Sequence, residues 1–243
     1  MVEFLIGTSG WSYEHWVNVF YPQDLKPNEW LSFYSKHFNT VEINMTFYRI
    51  PFDNMIKGWI NKTPENFIFS IKAPRFITHK KRLNDIEEPM QKLYTMAEKF
   101  RNKVQCILFQ FPPSFHNTPE NIQKIEKLLK LINPDYKHAF EFRHSSWWQN
   151  EFCLLINKKA GFCTVNGLNM PEDLMVTADF LYVRFHGERY NTMYSDEFLS
   201  KFALQIKKTV QEYGIKKVFV YFNNDFSGFA VKNALFLKKL LNG

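Results

Sequence analysis

Apolar runs of strand length recur along the chain, and segments with helical spacing lie between most of them. Eight runs stand out: Glu3 to Ser9, Thr40 to Tyr48, Asn66 to Pro74, Gln105 to Pro113, His138 to His144, Gly161 to Gly167, Phe180 to Gly187 and Lys217 to Asp225. The clearest helix follows the fourth run, where Thr118 caps, Pro119 takes the first position, and Ile122, Ile125, Leu129 and Ile132 form one apolar face. Trp30, Leu31, Tyr34 and Phe38 predict another, and Met90, Leu93, Ala97 and Phe100 a third. Phe198, Phe202, Ile206 and Val210 predict a fourth that stops near Gly214, and Ala230, Ala234, Leu237 and Leu241 close the chain. Between Leu168 and Asp179 there is room only for a short segment after Pro171, so the sixth helix is expected to be short or missing. Strand and helix in alternation predict parallel βα units, and eight of them close into an α/β, TIM-like (β/α)8 barrel. An open doubly wound sheet is the alternative. It calls for a glycine-rich phosphate loop after the first strand, where Gly7 to Trp11 offers two glycines before a bulky ring. With no repeat, linker or low-complexity tract, residues 1–243 read as a single domain.

Polar residues gather at the C-terminal ends of these runs: Thr8 and Ser9, Glu42 and Asn44, Lys72, Gln110, Glu141 and Arg143, Asn166, Arg184 and His186, then Asn223, Asn224 and Asp225. In a barrel those ends form one face, the usual place for an active site. Glu42 with Asn44, Glu141 with Arg143, and Arg184 with His186 are two residues apart and share a strand face, so Ile43, Phe142 and Phe185 are expected to face the helices. Lys72, Arg143 and Arg184 then stand against Glu42 and Glu141, leaving one positive charge in surplus. Burying an unpaired charge is expensive, which implies an anionic ligand or an Asp225 turned inward. The plainer reading is a closed ion-pair network, for instance Glu42 beside Lys72 on the next strand.

Trp11, Tyr13 and Trp16 follow the first strand, Phe47 and Tyr48 the second, and Trp147 and Trp148 the fifth. Rings at the mouth suit flat ligands by stacking and cation–π contact; any single one is more often loop-to-core packing, and several on one face strengthen the ligand reading. Ile77 to Arg82, with Arg75 just before, forms a basic stretch that is either a solvated loop or a phosphate-contacting rim.

Composition changes this picture little. The chain has 243 residues, 45% hydrophobic and 18% aromatic, ample for a large core and against disorder. A net charge of +7 leans towards anionic partners, yet Lys124, Lys127 and Lys130 show many lysines on plain solvated helix faces. Cys106, Cys153 and Cys163 have no metal-type spacing and read as reduced residues packed in apolar surroundings. The N-terminus lacks a basic leader and nowhere do ~18 apolar residues follow one another, so a soluble, cytoplasmic protein with no membrane partner is expected. Glu42 and Glu141 could act as an acid and base pair on a glycosidic bond, but a cation beside each disfavours the donor role. His186, Asp225, Glu141 and His79 are conceivable ligands for a divalent metal, although no recognised spacing links them, and no cofactor motif is found. No Ser-His-Asp or Cys-His arrangement is supported.

Several segments together resemble one family: Gly7 to Trp16, Phe20 to Pro22, Thr40 to Pro51, Ile77 to His79, Phe109 to Phe115, Glu141 to Trp147, Tyr182 to Gly187 and Tyr221 to Ala234. They are similar, in order and over nearly the whole length, to the domain-of-unknown-function 72 family, the YecE-like proteins. The resemblance implies a TIM-like barrel and no established activity. Its motif positions here are Gly7, Ser9, Gly10, Trp11, Glu42, Asn44, Phe47, Tyr48, Lys72, His79, Gln110, Glu141, Arg143, His144, Trp147, Arg184, His186, Gly187, Asn223, Asn224 and Asp225. It breaks at the sixth strand, where members often carry an acidic residue and this chain has Asn166.

The resulting expectation is a hydrolase-like enzyme acting on a phosphate-bearing or other anionic ligand, a nucleotide or nucleic acid among them. Lys72, Arg143 and Arg184 would hold the anion and stabilise developing charge, Glu42 or Glu141 would act as base or orient water, and His186 would sit among them. Trp11, Asn44, Tyr48, His79, Gln110, His144, Trp147, Asn223, Asn224 and Asp225 would complete the ligand site. The alternatives are a non-catalytic nucleic-acid-binding barrel, using Arg75, Lys80, Lys81 and Arg82, and a metal-dependent phosphodiesterase.

Overall fold

The eight expected strands form a single parallel sheet in the order β1-β8-β7-β6-β5-β4-β3-β2. They are β1 (Glu3–Thr8), β2 (Thr40–Ile43), β3 (Ile68–Lys72), β4 (Val104–Phe111), β5 (Lys137–Phe142), β6 (Gly161–Gly167), β7 (Phe180–Gly187) and β8 (Lys217–Phe222). The structure is a computed structural model that describes residues 2–148, 156, 159–167, 169–171, 173–187 and 192–242. Cys153 lies outside the described residues.

Helices α1 (Trp30–His37), α2 (Asp53–Asn61), α3 (Glu87–Glu98), α4 (Pro119–Leu131), α5 (Asp196–Tyr213) and α6 (Phe229–Asn242) lie between and after the strands. Their ends follow capping chemistry. The Asn121 backbone N–H donates to the Thr118 hydroxyl ahead of Pro119, the Phe198 N–H donates to Ser195, and Gly214 closes α5 at φ 64°. Helix α2 is absent from the sequence expectation although Ile56, Trp59 and Ile60 form an apolar face packed on the core; the stripe is short and Ile56 alone is fully buried. Between β6 and β7 no helix occurs among the described residues, as the short sixth connection implies.

The barrel closes at a seam between β1 and β2. There the ladder narrows, among the described residues, to one parallel bridge between Ser9 and Glu42, with the Gly10 N–H donating to the Glu42 carbonyl at 2.9 Å. Tyr34 of α1 fills the gap: its hydroxyl accepts from the Thr8 N–H at 3.0 Å and donates to the Thr40 carbonyl at 3.1 Å. Gly7 is required at this seam, since a Cβ there would lie 2.3 Å from the Thr40 oxygen.

Strand alternation sorts the side chains into two layers. Ile43, Phe142 and Phe185 join the cluster packed under the helices, as their spacing predicts. Leu5, Cys106, Leu108, Cys163, Val165 and Phe219 fill the barrel, so the two described cysteines are small interior residues. Above them Tyr221 spans the interior, its hydroxyl 2.7 Å from Thr40 and 2.8 Å from Ser70. This plug supports the polar layer above it.

Candidate functional site

Period-two alternation on β7 points Tyr182, Arg184 and His186 inward in succession, and Arg184 becomes the hub. Its Nη2 donates to Glu42 Oε1 at 2.7 Å and its Nη1 to Glu141 Oε2 at 2.6 Å, with all three side chains fully buried. Glu42 also accepts from Ser9 Oγ and from Tyr182 Oη, each at 2.6 Å. Glu141 takes a second charged bond from Arg143 Nε. Burial would raise the Glu141 pKa, but the guanidinium groups of Arg143 and Arg184, with His186 and Lys72 further off, hold it well below the usual carboxylate range.

Arg143 extends the network upward, reaching Gln110 Oε1 at 3.5 Å and His186 Nε2 at 3.2 Å. Burial, then the two guanidinium groups, keep His186 neutral by pushing its pKa well below the ordinary value. Nε2 lies 3.2 Å from an Arg143 nitrogen and 3.4 Å from Arg184 Nη1, an arrangement that suits a neutral ring accepting at Nε2 and carrying its proton on Nδ1. Nδ1 lies 3.1 Å from the side-chain amide of Asn223.

Lys72 is treated differently. It ends β3 in the same basin and is 8% exposed. Among the described residues its Nζ meets no carboxylate and no hydrogen-bond acceptor, and it rests 4.1 Å from the centroid of the Phe47 ring. Glu42, expected to pair with it from the neighbouring strand, instead reaches across the barrel to Arg184. Burial first, then the charge of Arg184, lowers the Lys72 pKa to about 7, against the opposing pull of Glu141 and Glu42. His79 packs edge-on against the same Phe47 ring, 5.0 Å between centroids, with Nδ1 2.8 Å from the Thr78 hydroxyl; burial and Lys72 lower its pKa to about 4.

The geometry thus brings together Glu42, Lys72, Gln110, Glu141, Arg143, Arg184, His186 and Asn223, with His79 alongside. Other residues expected at the mouth sit elsewhere. Trp147 is fully buried behind β5, its ring 4.6 Å from Phe142 and its Nε1 donating to the Phe115 carbonyl at 2.6 Å, because a residue following an outward Phe142 joins the outer layer. Trp148 packs on Phe162, 4.8 Å between ring centroids. Trp16 is buried and donates to the Asp225 carbonyl at 3.2 Å. His144 stacks on His116 at 3.9 Å and contacts Ser146. Tyr48 is largely exposed. Asn224 is buried, donating to Thr192 O and Asn233 Oδ1, which ties the β8 end to α6. Trp11 and Asn44 line a cavity of about 480 Å³ beside the seam, together with Leu31, Met55 and Trp59. Asn44 leaves the Glu42 face because the chain turns into a 3-10 helix immediately after β2.

Asp225 makes no ion pair among the described residues, so it does not supply the missing negative charge; burial raises its pKa. Nor do three His, Cys, Asp or Glu converge among the described residues: of the four conceivable metal ligands, Glu141 and His186 are neighbours at 4.0 Å, but they form no group of three with Asp225 or His79. In the basic stretch, Arg82 donates to the Ser114 carbonyl at 3.0 Å and serves the β4 loop. Sequence reasoning missed Tyr182 as a site residue, although its place two residues before Arg184 carried the signal.

Among the described residues no helix is long and apolar enough to cross a membrane. The chain is 29% identical to the UPF0759 protein YunF of Bacillus subtilis over 98% of its own length and 94% of that protein's. It is 24% identical to YecE of Escherichia coli K12 over 59% of this chain and 49% of that one. Two solved structures share the barrel. A Thermotoga maritima DUF72 family protein superposes with a TM-score of 0.90 at 33% identity, covering 99% of this chain and 100% of that one. One from Enterococcus faecalis superposes at 0.85 with 24% identity, covering 99% and 96%. The family model described as "Protein of unknown function DUF72" matches residues 5–243, and the chain belongs to that family.

Proposed function

We propose that this protein is an enzyme acting on an anionic small molecule, phosphate-bearing or carboxylated, which enters the C-terminal mouth of the barrel and meets Lys72 and Arg143. The charge balance of the buried layer carries this reading. Arg184 and Arg143 are answered by Glu42 and Glu141, so Lys72 is the surplus cation. With no ligand the protein relieves that surplus by letting Lys72 lose its proton near pH 7, and an incoming anion would favour the protonated form.

The same arrangement redistributes the expected roles. Arg184 is fully buried and bonded to two carboxylates, which suits it to hold the layer together rather than touch a ligand. Arg143, with an 11% exposed side chain, is the guanidinium nearer solvent. Glu141 is too weak a base for proton abstraction while two guanidinium groups hold it, whereas an amine with a pKa near 7 is matched to general acid–base work at neutral pH. A nucleic acid would need the rim instead, and there Arg82 is already engaged with Ser114.

Sulfate is the appropriate probe because it does not titrate in the neutral range. Its affinity, measured by calorimetry between pH 6 and 9, should weaken about tenfold per pH unit above the Lys72 pKa. Lys72→Met should remove that dependence. Sulfate binding that is absent, or that ignores pH across this range, overturns the reading.

A further inference from the structure

We infer that Lys72 is a nucleophile that forms an imine with an aldehyde or ketone, so that the ligand of this mouth is a carbonyl compound carrying an anionic group. This rests in part on the reading above and deepens it to a substrate class.

The geometry is that of an amine kept available. Lys72 is the last residue of β3, and its Nζ, among the described residues, is committed to no carboxylate and no hydrogen-bond acceptor. Among the described residues the two interior guanidinium groups are tied down, Arg184 by two carboxylates and Arg143 by Glu141, whereas Lys72 is not. The backbone beneath it is fixed, since the Thr46 hydroxyl lies 2.6 Å from the Lys72 carbonyl and 2.8 Å from the Ile43 carbonyl and shares its one proton between them. The Phe47 face covers one side of the amine and leaves a restricted approach. A pKa near 7 leaves a large share of the amine unprotonated at neutral pH, as desolvated catalytic lysines require.

The step balances without any further reagent. The nitrogen lone pair attacks the carbonyl carbon and the carbonyl oxygen takes up a proton, while the nitrogen releases one, giving a carbinolamine. The nitrogen lone pair then forms the C=N bond as the hydroxyl leaves with a proton as water. The sum is one amine and one carbonyl giving one imine and one water. Arg143, bonded to Gln110 and His186 and thereby oriented, would take the anionic group of such a substrate.

Reductive trapping tests this. The full chain is incubated with glyoxylate or with glycolaldehyde in the presence of cyanoborohydride, and labelled lysines are mapped by peptide mass spectrometry, surface lysines serving as the internal reference. Lys72 should be labelled at least ~10-fold faster than surface lysines at pH 7, and this ratio should fall as the pH approaches 10, where surface amines also lose their protons. Lys72→Arg should lose the label while retaining sulfate binding. Labelled surface lysines with an unlabelled Lys72 overturn the imine, and if sulfate still binds with its pH dependence the anion reading stands. Labelling of Lys72 by glycolaldehyde, unprotected by sulfate and no faster with glyoxylate, keeps the imine and removes the anion.

Discussion

Arg184 and Lys72 occupy the same end of one barrel and receive opposite treatment. Arg184 is surrounded, with a carboxylate on each side, and those carboxylates are braced by Ser9, Tyr182 and Arg143. Lys72 has an aromatic face and, among the described residues, no acid bonded to it. The difference teaches where structure ends and chemistry begins in this layer. A buried cation bonded to two carboxylates is part of the scaffold, whereas one left without an acid is costly to the fold, and such a cost is tolerated where a site needs it.

The strongest way to break the comparison is Arg184→Met. It leaves Glu42 and Glu141 buried without their shared cation, and losing one member of such a network costs about 3–5 kcal/mol, measured as a lower midpoint in urea unfolding. The same variant restores acidic partners to Lys72. Its pKa should therefore rise from about 7 towards the ordinary lysine value, and its selective labelling at pH 7 should vanish. A variant as stable as the parent would show that the triad is not what holds the layer.

Lys72→Met sharpens the contrast from the other side, because it should stabilise. The native pKa of Lys72, about 7, lies below that of the unfolded chain, so between the two values the unfolded state binds the additional proton. Stability of the parent therefore rises with pH across that window, and the penalty is fully present below pH 7. Lys72→Met should gain on the order of 5 kcal/mol at pH 6, less whatever packing the substitution loses, with the advantage shrinking as the pH climbs towards 10. Thermal unfolding of both proteins at pH 6, 8 and 10 gives the comparison, and a destabilised variant at pH 6 refutes it.

Much of this contrast is visible in the chain, and the parts that are not have a common cause. Period two places Glu141 inward beside Ala139 and, by the same rule, Tyr182 beneath Arg184, so the inward set follows from alternation. Alternation cannot give reach across the barrel. Glu42 and Lys72 look like partners because their strands are adjacent, yet Glu42 spans the interior to β7, a distance fixed by the tilt of the strands and the size of Tyr221 below. Alternation also stops where strands stop. Asn44 and Trp147 lie one or more residues past β2 and β5, in 3-10 turns that send their side chains to the seam cavity and the outer layer. Helix α2 escaped for a different reason: Asp53–Asn61 has an apolar face in Ile56, Trp59 and Ile60, but the stripe is short and is interrupted by Gly58.

The smallest effect tests the premise that burial, not distance, separates scaffold from surface. Lys201 and Glu197 on α5 are 2.6 Å apart, the same separation as Arg184 and Glu141. The surface pair has side chains 75% and 78% exposed, while the interior pair has none. In water the attraction is screened and is offset by the entropy lost in holding two long side chains together, so the exposed pair should add little. Glu197→Gln should change the unfolding midpoint by less than about a tenth of the Arg184→Met effect, and that change should disappear at 1 M salt. The interior triad, closed to ions, should keep its contribution in the same salt. Equal losses from the two substitutions would mean that the interior network draws nothing from its burial, and the contrast between Arg184 and Lys72 would lose its basis.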